Sequence, residues 1–209
     1  MKPLETERLI LRGYREADLP EYHRMMSDAE NMYYLWDIVT RSLEESHESL
    51  RNAIAVNAAG TARRFAMTLK GCDKIIGACG YEIIIPGYKI NETDCKLNKT
   101  DCGIIKTGYE VTAMGGKTAD PMGWFIMPEY QNKGYMTEAV KRVLAFAFLE
   151  DNCERVITGC FKENIPTQRV MAKAGFIEEE ANPKALFLDG KLRERMKFAL
   201  TREQYLRMI

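Results

Sequence analysis

The chemistry-bearing residues of this chain cluster where an apolar run meets a helical repeat. Met122–Met127 is rich in aromatic and branched apolar side chains and predicts a buried strand. From Met136 onward, Val140, Val143, Leu144 and Ala147 recur at helical spacing, flanked by Phe146 and Phe148, and predict a long amphipathic helix. The loop between them is Tyr130-Gln-Asn-Lys-Gly-Tyr-Met136. A strand feeding a helix through such a loop leaves backbone N–H groups converging at the helix start, with the positive end of the helix dipole behind them. That arrangement binds phosphate. Gly134, lacking a Cβ, lets an anion approach the backbone and accepts a positive φ. Lys133 would add a point charge beside it. Neither G-x-x-x-x-G-K-[ST] nor G-x-G-x-x-G occurs, which removes the nucleoside-triphosphate loop and the dinucleotide fold from consideration.

What remains, Gln131-Asn-Lys-Gly134-Tyr-Met136, resembles the Q/R-x-x-G-x-G/A pyrophosphate loop of the GNAT superfamily of acetyl-CoA-dependent N-acetyltransferases. Thr137-Glu138-Ala139, together with the opening Thr6-Glu7-Arg8-Leu9 and Arg12, is similar to the subgroup of ribosomal-protein N-terminal alanine acetyltransferases. Met136 stands where Gly or Ala is usual, so its side chain must turn into the core to leave an anion room. Asn164, Thr167, Lys173, Gly175 and Phe176 resemble the fourth superfamily motif, so the likeness covers nearly the whole chain outside 86–120.

The resemblance implies acetyl-CoA as co-substrate and no metal. It implies that the backbone of Trp124, Phe125 and Ile126 meets the pantetheine arm. Gln131, Asn132, Lys133, Gly134, Tyr135, Met136 and Thr137 would surround the pyrophosphate, and Asn164 would face the pantetheine end. Transfer requires a neutral amine, a donor for the developing oxyanion and a proton for the leaving thiolate. A lysine-like amine costs roughly 4–5 kcal/mol to deprotonate at pH 7, an α-amine only about 1 kcal/mol, so a weak base suffices for the latter. Two proton-transfer groups common in relatives are replaced: a helix tyrosine falls at Met171 and a strand glutamate near Gly159. The carboxylates left as candidate bases are Asp120 and Glu82. The implied reaction is direct attack of a primary amine on acetyl-CoA in a ternary complex, the acceptor being a protein N-terminal α-amine or a small-molecule amine. The alternative is a non-catalytic acyl-CoA-binding regulatory module, suggested by Met136, Gly159 and Met171.

The elements that must position these residues follow from pattern. Leu9–Tyr14 predicts a first strand, Asp18 opens a helix carrying Tyr22, Met25 and Met26, and about 42–57 predicts a second helix. Tyr33–Trp36 lies between them as an aromatic cluster that either packs or lines an acceptor pocket. Arg63–Leu69 and Lys74–Ile84 predict a hairpin. About 86–120 predicts an inserted, partly β-hairpin arm next to the site. Arg155–Phe161 predicts a strand, Asn164 the N-cap of a helix ended by Gly175, and Leu186–Leu188 with Leu192–Leu200 a terminal hairpin turning at Asp189-Gly190. The expected fold is α/β: a mixed, mostly antiparallel sheet with one parallel, splayed strand pair, flanked by helices, in a single domain over 1–209.

Composition sets the outer bounds. With 30 Lys plus Arg against 30 Asp plus Glu, net charge is zero, so no dependence on nucleic acid or an anionic membrane is expected. Glu5, Glu7 and Arg8 interrupt the N-terminus before any long apolar run, and no run reaches bilayer length, so a cytoplasmic protein is expected. A homodimer is among the assemblies left open. The six cysteines fall in pairs seven residues apart, too far for the usual zinc spacing, and are read as small buried thiols.

Overall fold

The computed structural model describes residues 1–84, 117–179 and 184–209. Its strands are β1 (Leu4–Glu5), β2 (Leu9–Arg12), β3 (Ala62–Leu69), β4 (Ile75–Ile84), β5 (Thr118–Ile126), β6 (Arg155–Phe161), β7 (Ile177–Glu179), β8 (Lys184–Leu186) and β9 (Leu192–Thr201). The helices are α1 (Leu19–Met26), α2 (Leu43–Ala59), α3 (Tyr135–Leu149), α4 (Ile165–Ala174) and α5 (Arg202–Leu206), with a 3-10 segment at Tyr33–Ile38. The sheet runs β1-β2-β3-β4-β5-β6-β9-β7, and β8 also pairs with β9.

Among the described residues every pairing is antiparallel except β5 with β6, which are joined by the α3 crossover. That parallel pairing covers only Thr118↔Arg155 and Ala119↔Val156. Beyond it the Thr158 hydroxyl bridges the two strands, donating to the Met122 carbonyl at 2.7 Å. The C-terminal halves of β5 and β6 therefore diverge, and the sheet carries a split at its middle.

Each sheet face has its own core. On one, α3 lays Val140, Val143, Leu144 and Ala147, all buried, against Leu11, Phe65, Cys79, Tyr81 and Met122. On the other, Tyr22 and Met25 of α1 and Leu50 of α2 pack on Ala66, Ala78 and Phe125. Local signals set the helix ends: Ser42 accepts the Glu45 N–H at 3.1 Å, and Asn164 accepts the Thr167 N–H at 3.2 Å. Below the split, Asp151 ties three elements together, accepting from the Tyr81 hydroxyl at 2.6 Å and from Arg63 Nη2 at 2.9 Å while Lys117 lies 3.5 Å away.

Several expectations need correction. The central strand starts at Thr118, inside the span assigned to the arm; the rest of that arm call, 86–116, lies outside the described residues. β7 and α5 were not anticipated. Cys79, Cys153 and Cys160 are buried free thiols, but Cys72 is exposed in the turn after β3. Cys95 and Cys102 lie outside the described residues. No helix among the described residues is long and apolar enough to cross a membrane.

Candidate active site

A cavity of about 930 Å³ runs from the loop ahead of α3, through the split, to the 3-10 segment on the other face. Trp124–Ile126, Gln131, Asn132, Gly134–Thr137 and Asn164 all border it, as does Glu82. Lys133 does not: its ammonium donates to the Glu129 carbonyl at 2.8 Å and lies 5.7 Å from the Tyr130 ring centroid.

The loop is shaped by two left-handed residues, Asn132 at φ +60° and Gly134 at φ +80°. Gly134 is the N-cap of α3 and brings no side-chain cap, and the first helical bond runs from the Glu138 N–H to the Gly134 carbonyl. The amides of Tyr135, Met136 and Thr137 thus precede the helix's own ladder at the positive end of its dipole. Met136 is buried in the α3 core, which removes the steric objection to an anion there. Gln131 reaches across to Asn31 Oδ1 at 3.0 Å, pinning the loop to the segment before the 3-10 helix.

The strand edge at the split is equally defined. The Met127 N–H donates to the Ile76 carbonyl of β4 at 2.9 Å, and the Met122 carbonyl faces β6. By alternation the peptide groups of Trp124 and Ile126 face the split, while Phe125 turns its carbonyl towards β4, 2.6 Å from where a Cβ on Gly77 would stand. Trp124 and Ile126 therefore present backbone donors and acceptors to the cavity, and Phe125 contributes none.

Sequence reasoning missed Arg8. Its guanidinium donates to the Lys133 carbonyl at 2.9 Å and to Glu138 Oε2 at 2.7 Å, and stacks 4.5 Å from the Tyr135 ring centroid. Glu138 also accepts from the Thr6 hydroxyl at 2.5 Å and the Arg8 N–H at 2.9 Å. Burial alone would raise the Glu138 carboxyl, but these bonds outweigh it and hold it below the usual carboxylate range. The signal was present as the Thr6-Glu7-Arg8 opening and the Thr137-Glu138-Ala139 run, without anything local to join them.

The proton-transfer residues are placed as follows. Met171 is fully buried under α3, so that position of α4 faces the core and not the cavity; Thr167 and Val170 face the cavity instead. At Gly159 a Cβ would stand 2.7 Å from the Met196 carbonyl, so β6 has no room for a side chain there. Glu82 is held by Arg64 at 2.5 Å, both on the cavity wall. Asp120 falls within β5 where the register with β4 shifts, and its side chain lies outside the described atoms. Tyr34 brings a phenol to the cavity wall beside β6: its ring stacks on Phe161 with centroids 6.4 Å apart, and burial raises it above a free tyrosine.

The residues 8–177 match the family model described as an acetyltransferase (GNAT) domain. The chain is 27% identical over 176 residues to an uncharacterized N-acetyltransferase, YnaD, of Bacillus subtilis (strain 168), covering 84% of this chain and 83% of that protein. Its fold is similar to that of the ribosomal-protein-S5-alanine acetyltransferase from Vibrio fischeri, at TM-score 0.70 and 18% identity, covering 98% of this chain and 99% of that one. It is similar also to the spermidine N-acetyltransferase from Vibrio cholerae in complex with CoA and spermine, at TM-score 0.70 and 20% identity, covering 96% and 99%. A chain that matches the family model over most of its length and splits its sheet beside a glycine-capped helix belongs to the GNAT family of acetyltransferases.

Proposed function

We propose that the chain transfers acetyl from acetyl-CoA to a primary amine by direct attack within the split cavity. The observation that carries this reading is the continuity of one cavity from the uncapped start of α3 to the 3-10 segment, past the unpaired edge of β5. The pyrophosphate would sit on the amides of Asn132–Thr137, and the pantetheine would pair with the Trp124 and Ile126 peptide groups as an added strand does. Its thioester then reaches the far side of the split, where Tyr33, Tyr34 and Leu35 form a wall for the acceptor.

The amine nitrogen attacks the thioester carbon, the C–S bond breaks, and the thiolate takes up a proton. A main-chain N–H of the splayed strand would stabilise the oxyanion. Glu82, positioned by Arg64, and Asp120 are the carboxylates for removing the amine proton, directly or through water. The test is thiol release from acetyl-CoA against a panel of amines, with the acetylated product identified by mass. Turnover on at least one amine is expected; tight acetyl-CoA binding without turnover on any would replace this reading with a non-catalytic acyl-CoA-binding module.

A further inference from the structure

The acceptor end of the cavity has a definite charge pattern. Its floor includes Gly80, Gly123 and Gly159, one from each of β4, β5 and β6, and the first two are directly paired. Because the flanking Cys79, Tyr81, Met122 and Cys160 belong to the α3 core, these glycines present the opposite face, the one under the 3-10 segment. At the β4 end of this trough stands the Glu82 carboxylate with Arg64 behind it. At the other end stands Arg195 of β9, 4% exposed and bordering the cavity. Its guanidinium carbon lies 5.4 Å from the Phe161 ring centroid, and its Nη2 lies 3.6 Å from where a Cβ on Gly159 would be. The guanidinium thus lies over β6 beside Gly159, at the border of the split. Asp37 of the 3-10 segment feels the Arg195 charge but is not part of the cavity lining.

We propose that the acceptor is a primary amine bearing its own anionic group, carboxylate or phosphate, which Arg195 holds while the amine points across the glycine floor towards the split and Glu82. This rests on the transferase reading above. An incoming ammonium is drawn to the acidic end and an anion to the basic end, so the trough is complementary to a dipolar molecule. Glu82 on β4 and the guanidinium over β6 stand at least two strand spacings apart, about 10 Å, and a polar contact of about 3 Å at each end leaves only a short span for the molecule between them. An aminocarboxylate or an aminoalkyl phosphate fits that span. A polyamine would set a second cation against Arg195, and a peptide N-terminus carries an amide where the anion is wanted.

The experiment is kcat/KM with β-alanine, aminoethyl phosphate, ethanolamine, spermidine and an uncharged tripeptide amide, all with saturating acetyl-CoA. At least one of the two anionic amines should exceed ethanolamine by about tenfold or more, the scale of a charge-assisted pair, and which of the two leads tells carboxylate from phosphate. Arg195→Met should bring that ratio close to one, and Arg195→Lys should keep part of it. An unchanged ratio in a folded Arg195→Met variant overturns the assignment, as does turnover confined to spermidine or the peptide. If Arg195→Met does not fold, the wild-type ranking and Arg195→Lys still decide. Silence on every amine together with intact acetyl-CoA binding defeats the transferase reading itself, a result distinct from a wrong ranking.

Discussion

Replacing Gly134 separates two contributions that the loop combines, backbone conformation and access for negative charge. Gly134 sits at φ +80°, where a Cβ costs an ordinary L-residue about 1–2 kcal/mol, whereas Asn and Asp enter this region more readily. The added Cβ meets only Arg8 Nη2, at 3.3 Å, the end of a flexible side chain, so the fold should survive. Gly134→Ala therefore reports strain, Gly134→Asn adds the bulk of a polar side chain without charge, and Gly134→Asp adds the charge at nearly the same bulk. A carboxylate about 4 Å from one phosphate charge opposes it by about 4 kcal/mol at an effective dielectric of 20. The loop is exposed and the salt of an ordinary buffer screens it, so about half should remain: roughly 2 kcal/mol, or 30-fold in Kd. Calorimetric Kd values for CoA, with melting curves to confirm folding, should rank Gly134, then Asn, then Asp, with the Asn to Asp step near 30-fold. Equal Kd for folded Asn and Asp variants would refute the placement of the pyrophosphate at this loop.

The remaining predictions concern proton transfer, acid stability and thiol reactivity. Asp120→Asn should cost about tenfold or less with an α-amine acceptor; a hundredfold loss in kcat would make Asp120 a positioned general base. Because burial raises the Tyr34 phenol, the rate should climb with deprotonation of the acceptor and show no descending limb up to pH about 9; an alkaline fall abolished by Tyr34→Phe would show that the phenol protonates the thiolate. Asp151, despite burial that would raise it, is held below its usual range by Tyr81, Arg63 and Lys117. A depressed folded pKa stabilises fully above the unfolded value near ~3.9 and loses its contribution as pH falls through the folded value. The melting-temperature gap between wild type and Asp151→Asn should therefore be widest near neutrality and narrow below pH about 4; a constant gap down to pH 2 would contradict this. Burial pushes Cys160 up to about 12 and Cys153 to about 11, so among the described cysteines native-state alkylation at pH 8 should modify Cys72 first, as read by peptide mapping.

What was legible in the residues was what local chemistry encodes. Arg155–Phe161 is a strand of branched and aromatic residues, and Asn164, Pro166 and Gly175 carry cap and N-terminal signals that do not depend on tertiary context. The loop ahead of α3 was visible for the same reason, since a strand, a glycine and an amphipathic helix follow one another in sequence. β7 escaped because two of its three residues are exposed and what orders it, the pairing with β9 and the ion pairs of Glu179 with Arg155 and Lys197, is tertiary. α5 is short, yet Thr201 and Gln204 form a capping box that a closer reading would have caught. The partners of the site were harder. Arg8 meets Lys133 and Glu138 across more than a hundred residues, and Arg195 reaches the split only because β9 pairs beside β6. Lys133 looked like a phosphate ligand by adjacency, but its side chain folds back onto Glu129, and adjacency carries no information on direction.

The most direct test of this account is a structure of the chain with CoA bound. The account predicts the pyrophosphate on the amides of Asn132–Thr137 and the pantetheine paired with the peptide groups of Trp124 and Ile126. A pantetheine that bypasses the split between β5 and β6, or a pyrophosphate held away from the start of α3, would contradict it.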